Sequence, residues 1–150
     1  MDDHTKKALK ALGVPTKFSG AFVVATPESR RLLAIAEPFV AWGPPNLRSI
    51  RELVFKRGLG RKERSKAAPL MDNTLIEKAL GHVGVICMED LIHELVTVGS
   101  SFDAVNRFVG KFSLSSSDSV SHQKKMTHFA IGGRFGDRGD QINELIQSMV

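Results

Sequence analysis

The sequence has little of what secreted, membrane-spanning and metal-binding proteins need. Cys87 is its one cysteine, so no disulfide can form within the chain, which is typical of a reducing compartment. No apolar run approaches the roughly 20 residues that span a bilayer. The N-terminal residues MDDHTKKALK are too polar for a secretory signal. We therefore expect a cytosolic protein that has no membrane partner.

The residue patterns that carry catalysis are missing as well. His82, Cys87 and His93 have neither the paired spacing of a zinc module nor the His-Glu-x-x-His spacing. The run Gly132–Gly139 resembles a phosphate-binding loop but lacks the Gly-Lys-Ser/Thr ending, so it predicts a flexible turn into the last helix. We expect no enzyme, no cofactor, no metal site and no small-molecule substrate.

The most informative feature present is the uneven distribution of charge. The 150 residues carry 21 Lys and Arg against 16 Asp and Glu, with an isoelectric point near 9.6. Eight of the 21 basic residues but only two of the 16 acidic ones lie between Arg48 and Lys66, which leaves 13 basic and 14 acidic residues elsewhere. A charge of one sign concentrated in a single stretch favours binding to a polyanion.

The first half of this basic stretch has the pattern of an amphipathic helix. Its apolar residues are spaced to form one stripe: Leu47, Ile50, Leu53 and Val54. Arg48, Arg51 and Lys56 point away from that stripe, and Gly58 suits a helix end. The segment Leu59–Lys66 has one large apolar residue and predicts a mobile basic arm.

A second, smaller basic patch accompanies an aromatic residue, Phe129, near the C-terminus. Together the two patches supply eleven candidate RNA-binding residues: Arg48, Arg51, Lys56, Arg57, Arg61, Lys62, Arg64, Lys66, Lys124, Lys125 and Arg134. The alternative interpretation of such a run is a solvated, charged helix face. The single sign of the charge and the planar arginine fork, which matches phosphate oxygens, favour the nucleic-acid interpretation.

The remaining patterns alternate between helix and strand before the basic stretch. We expect a helix over Thr5–Leu12, a strand over Phe18–Ala25, a helix that begins at Thr26-Pro27-Glu28, and a strand over Phe39–Trp42 after Pro38 ends that helix. The helix that begins at Thr26-Pro27-Glu28 is expected to bury Leu32, Leu33, Ile35 and Ala36.

Helical spacing dominates the second half of the chain. Helices are predicted after Asp72, from Met88 and after Asp140, the two aspartates acting as N-caps. A further helix is expected to bury Val105, Phe108, Val109 and Phe112. A brief extended run is expected over Val83–Cys87, and a serine-rich surface loop over residues 114–121.

At Pro45–Gly58, PNLRSIRELVFKRG, the sequence closely resembles the eukaryotic large-subunit ribosomal protein L-seven, of the family that includes bacterial and archaeal ribosomal protein L-thirty. The similarity continues through FSGAFVVAT and AEPFVAWG before this segment. After it, the similarity covers Asp72–Leu80, Gly84–Gly99, Thr127–Gly133 and Asp140–Asn143.

This resemblance implies an α/β (α+β) fold: a ferredoxin-like sandwich without its first strand, with appended helices and a basic arm. It implies a single domain over residues 1–150, divided into a helix-strand-helix-strand core (1–43), a basic helix and arm (44–71) and an appended helical region (72–150). In the family a first strand and a longer basic extension precede the helix at Thr5–Leu12. The family's Pro-Arg-Gly-Gly turn is replaced here by Ser117–Val120.

The function implied is that of a structural constituent of the large cytoplasmic ribosomal subunit. Its partners would be large-subunit rRNA and neighbouring ribosomal proteins, with nucleolar transit during assembly. The alternative is a paralogous nucleolar assembly factor that acts on pre-rRNA. An RNA-modifying enzyme would need an acid, base or metal cluster, and the sequence offers none.

Overall fold

The computed structural model describes residues 1–60, 68–70, 73–116 and 124–150, with the backbone alone for residues 68 and 124–126. The described residues form seven α-helices: α1 (Asp3–Ala11), α2 (Pro27–Ala36), α3 (Leu47–Arg57), α4 (Asn73–Leu80), α5 (Met88–Thr97), α6 (Phe102–Val109) and α7 (Ile142–Met149). They also form seven strands: β1 (Ser19–Gly20), β2 (Ala41–Trp42), β3 (Leu59–Gly60), β4 (Ala68–Pro69), β5 (Phe112–Ser113), β6 (Lys124–His128) and β7 (Gly133–Asp137). The mixed α/β class predicted from the sequence is confirmed.

The first two helices pack against each other around a small apolar cluster. Ala8, Leu9 and Leu12 of the α1 segment are buried together with Ala36 of α2. Helix α2 begins as its sequence predicts, because the Thr26 hydroxyl accepts a hydrogen bond from the Ser29 backbone N–H at 3.1 Å and Pro27 occupies the first helical position. Leu32, Leu33 and Ile35 are half-buried beside this cluster.

The larger core lies between α3 and the helices α4, α5 and α6. Val54 of α3, Ile76 of α4, Leu91 of α5 and Val105 of α6 are all fully buried in it. Ile146 of α7 packs at its margin. Helix α3 is therefore fixed by the main hydrophobic core of the described chain. The division of the domain at residues 43 and 71 stays a prediction.

Strand pairing in the described residues is divided among three small sheets. Strand β1 pairs antiparallel with β5, β3 pairs antiparallel with β4, and β7 lies between β2 and β6. Strands β2 and β7 run parallel, with Ala41 opposite Gly136 and Trp42 opposite Asp137. The described strands thus do not form the single sheet of a ferredoxin-like sandwich.

Two strands are shorter than their sequence patterns predict. Within the predicted strand Phe18–Ala25, only Ser19–Gly20 is a strand. Beyond it, the Phe22 carbonyl accepts a hydrogen bond from the Asn106 side chain at 2.9 Å, and the Phe22 ring lies edge-on to Phe112 at 5.5 Å. A helix side chain thus replaces a strand partner there. The strand predicted over Phe39–Trp42 is likewise reduced to Ala41–Trp42, because Glu37–Phe39 is a 3₁₀ turn.

Most of the glycine-rich segment predicted as a flexible turn, Gly133–Asp137, is instead the central strand β7, and only its end at Gly139 enters a turn before the last helix. The Gly136 N–H donates to the Val40 carbonyl at 2.8 Å, which joins β7 to β2. Gly136 has a φ of +97°, and a Cβ at this position would collide with the His128 ring. The glycines of this run are typical of turns, but here they allow the strand to pack closely against its neighbours in the sheet.

Asp140 is not the N-cap of the last helix. A 3₁₀ turn over Gly139–Gln141 precedes α7, and no side chain caps the helix. The Asp140 backbone carbonyl instead accepts from the Asn143 side chain at 2.8 Å. A different aspartate, Asp137, stabilises the start of this 3₁₀ turn. Its carboxylate accepts a hydrogen bond from the Gly139 N–H at 2.8 Å.

Three smaller expectations in the second half also need correction or fall outside the structure. Helix α6 ends at Val109 because Gly110 has a φ of +65°, so Phe112 is buried in β5 rather than in a helix. The extended run predicted from Val83 is wrong there, because Gly81–Val83 is a 3₁₀ turn. Asp72 and most of the serine-rich loop, residues 117–121, lie outside the described residues.

We predict a sharp difference between two leucines of α3. Leu53 is 5% exposed, whereas Leu47, which the sequence pattern assigns to the same stripe, is 53% exposed at the first residue of the helix. Leu53→Ala should lower the free energy of unfolding by about 2–5 kcal/mol, because it leaves a cavity in the core. Leu47→Ala should change it by less than about 0.5 kcal/mol. Equal losses in urea denaturation would contradict the assigned helix face.

Candidate nucleic-acid interface

The basic helix α3 is anchored at its first turn by two asparagines. The Asn46 side-chain oxygen accepts from the Ser49 N–H at 2.8 Å and caps the helix. The Asn46 backbone N–H donates to the Asn143 side-chain oxygen, also at 2.8 Å. Because Asn143 belongs to α7, the C-terminal helix holds the start of the basic helix in place. This N-cap was not identified from the sequence, although asparagine before an amphipathic pattern is its usual signal.

The end of α3 is fixed by a glycine that packs closely. Gly58 donates its N–H to the Val54 carbonyl at 3.0 Å. A Cβ on Gly58 would collide with that carbonyl and contact Leu70 at 3.0 Å. The predicted helix stop is confirmed, and its cause is close packing, since φ here is −67°. The chain then enters β3, so the prediction that Leu59 and Gly60 belong to a mobile arm is wrong.

The exposed face of α3 carries three cations in distinct environments. Arg48 lies 3.2 Å from Glu52 one turn further along, with 73% of its side chain exposed. Arg51 donates to the Glu89 carboxylate of α5 at 2.9 Å. Lys56 is exposed. As predicted, all three point away from the buried stripe. Exposed ion pairs of this kind contribute only about 0–1 kcal/mol, so an incoming phosphate can displace them.

Arg57 has a different environment from the other three. Its guanidinium donates to the Ser113 carbonyl at 3.4 Å and to the Ser115 hydroxyl at 2.6 Å. These bonds connect the C-terminal end of α3 to β5 and the residues after it. Arg57 therefore has a structural role in addition to its proposed RNA contact. Its position in a basic run did not predict that structural role.

The other candidate residues of the basic stretch cannot be placed. Arg61, Lys62, Arg64 and Lys66 lie outside the described residues. The strands that precede and follow them are paired, with Leu59 opposite Pro69 and Gly60 opposite Ala68.

The second patch is built on the β6–β7 pair. Lys124 and Lys125 belong to β6, where only the backbone is described, and Lys124 lies opposite Gly133, the residue before Arg134. Arg134 is half-buried, and its carbonyl accepts from the Arg138 guanidinium at 3.0 Å. The structure thus brings the backbone positions of all three residues to neighbouring strands.

Arg138 itself has a structural environment. It is 7% exposed, and its guanidinium carbon lies 4.8 Å from the centre of the Phe129 ring. Burial lowers the pKa of its guanidinium, which nevertheless stays charged because arginine titrates so far above neutrality. Phe129 therefore packs with a buried cation of its own sheet.

Sequence reasoning missed two residues of the α3 face. Phe55 is 54% exposed, with the Arg51 guanidinium carbon 5.4 Å from its ring centre. Glu89 reaches the face from a helix 38 positions later in the chain. Phe55 had a detectable signal, since it falls outside the apolar stripe. Glu89 had none, because only the packing of α3 against α5 brings it there.

Other kinds of site have no support in the described part of the chain. No group of three His, Cys, Asp or Glu side chains there is arranged to hold a metal ion. Among the helices described, none is long and apolar enough to cross a membrane. Cys87 is a free, half-buried thiol at the residue before α5.

Comparison with known proteins agrees with the family suggested by the sequence. The chain is 46% identical over 149 residues to the large ribosomal subunit protein uL30-like 1 of Mus musculus, an alignment that covers 96% of this chain. It is 44% identical to the large ribosomal subunit protein uL30 of Yarrowia lipolytica over 99% of its length. The corresponding protein of Neurospora crassa is 42% identical over 96%.

This chain is a homologue of the uL30 ribosomal proteins. The resemblance read from its sequence is thereby confirmed. The alignments cover 58% of the mouse and Neurospora uL30 relatives and 59% of the Yarrowia protein, so the chain spans less than two thirds of their length. No family model matches the chain.

The capping contact at Asn46 generates a prediction about the basic helix. Asn46→Ala should lower the free energy of unfolding by about 0.5–2 kcal/mol, because the Ser49 N–H is left without its acceptor. Asn46→Asp keeps an acceptor oxygen and should stay within about 0.5 kcal/mol of the original chain. Urea denaturation measures both. Equal destabilisation by the two substitutions would show that the cap does not anchor α3.

Proposed function

We propose that this chain is a structural constituent of the large cytoplasmic ribosomal subunit that binds large-subunit rRNA. One observation supports this most directly: α3 buries one face in the main core and presents Arg48, Arg51 and Lys56 on the other. The uL30 relatives are named as large ribosomal subunit proteins, and the proposal extends that role to this chain.

The proposed contact is with the phosphate backbone. An α-helix held by a core presents its cations from fixed backbone positions, so RNA binding need not order the backbone that carries them. Each neutralised phosphate releases counterions and adds to a salt-dependent affinity. The cations of residues 61–66 would extend the same contact along the RNA.

The role is electrostatic and structural rather than catalytic. Arg48, Arg51 and Lys56 form the central RNA contact, and the remaining eight candidate residues from the sequence are proposed to extend it. The protein partners would be neighbouring large-subunit proteins. We propose residence in cytoplasmic ribosomes after nucleolar transit. A nucleolar assembly factor would use the same face but would leave the particle during maturation.

Sedimentation separates these two roles. We expect tagged full-length chain in translating polysomes, at about one copy per large subunit, because many simultaneous phosphate contacts make release steeply salt-dependent. It should persist through washes in moderate salt. Confinement to nucleolar precursors and absence from polysomes would overturn the ribosomal role and support the assembly factor.

A further inference from the structure

The centre of the basic face of α3 is an aromatic ring. Phe55 follows Arg51 by four residues and Arg48 by seven, so the three side chains share one face of the helix. Together with Leu47, Glu52 and Lys56 they line a shallow groove of about 660 Å³. A single exposed phenylalanine is common on protein surfaces and carries no meaning alone.

The arginine beside Phe55 makes this ring different. The Arg51 guanidinium carbon is 5.4 Å from the ring centre, within the roughly 6 Å of a cation–π contact. The same guanidinium also donates to the Glu89 carboxylate at 2.9 Å. Two weak contacts therefore favour a guanidinium position beside the ring, and Arg51 and Phe55 together form a partly exposed aromatic and cationic surface.

We propose that Phe55 and Arg51 form a stacking site for an unpaired RNA base. The inference rests on the proposed function and adds a ligand class to it. Unpaired bases stack on aromatic rings and on guanidinium planes, whereas bases inside an A-form duplex are not accessible to either. The flanking Arg48 and Lys56 supply positive charge for the phosphates on both sides of the base, which a polyanion complements and an apolar protein segment does not.

Two RNA hairpins test the site, one a continuous duplex and one identical except for a single bulged 2-aminopurine. We expect the original chain to bind the bulged hairpin more tightly and to change its 2-aminopurine fluorescence. Phe55→Ala should weaken binding to the bulged hairpin by about five- to 100-fold, and leave duplex binding unchanged. Phe55→Trp should retain the preference because it retains a stacking ring.

Two further variants complete the experiment. Phe39→Ala is the matched control, since Phe39 is 50% exposed in the 3₁₀ turn and should not affect either hairpin. Phe55→Leu keeps an apolar side chain without an aromatic ring and should behave as Phe55→Ala does. The midpoint of thermal unfolding of each variant should match that of the original chain, because Phe55 and Phe39 are both exposed.

Several results would overturn the inference. Equal binding of the two hairpins by the original chain would exclude base stacking while leaving the proposed phosphate contact intact. A Phe55→Leu variant that retains the preference would assign the groove to apolar docking of a protein segment. Failure of the original chain to bind either hairpin would overturn the proposed function and this inference together.

Discussion

The burial of one face of α3 is the constraint on which the rest of the interface depends. Ile50, Leu53 and Val54 are at most 5% exposed in the core that α3 shares with α4, α5 and α6. Removing these side chains from water stabilises the helix in one rotational setting. Burying a charged side chain instead would cost several kcal/mol, so the arginines and lysine are forced outward. The apolar stripe thereby determines where the cations point.

The contacts on the outer face are weak by comparison, and this suits a binding surface. Arg48–Glu52 and Arg51–Glu89 are exposed pairs that contribute little to folding. Their acids keep the arginines near the positions that the proposed phosphate contact requires and reduce the repulsion between cations in the free protein. A phosphate carries a stronger set of acceptors and can take their place. The buried face of α3 thus holds the helix in place, while the weak ion pairs on its outer face leave the arginines free to bind a phosphate.

Sequence periodicity located the helices because their signals are local, although it misplaced the end of α6 and the start of α7. The helix predicted from Met88 is present as α5, and its Leu91, Ile92 and Leu95 are buried at helical spacing. The Thr26-Pro27 start of α2 is likewise determined by residues within one turn. Local hydrogen bonds and a 3.6-residue period are visible in one sequence without any partner.

The strands were harder to predict from the sequence, because a strand forms only when it is paired with another strand. The glycines of β7 have turn chemistry, and only the neighbouring Val40 carbonyl and His128 ring explain them. In the same way, Glu89 joins the candidate site through packing between α3 and α5. The cations at Arg48, Arg51 and Lys56 could be assigned to the exposed face from spacing. Their partners could not, because long-range contacts leave no periodic signal.

We propose that RNA affinity resides on the outer face of α3 rather than in the net positive charge of the chain. The most direct measurement compares the salt dependence of duplex RNA binding for two variants matched in residue type. Arg48, Arg51 and Lys56→Gln should lower the slope of log affinity against log salt by roughly 0.7–0.9 for each phosphate that the variant no longer neutralises. Arg30, Arg31 and Lys7→Gln removes the same types of cation from exposed positions of α1 and α2 and should leave the slope unchanged. Equal reductions in both variants, or none in either, would contradict the account.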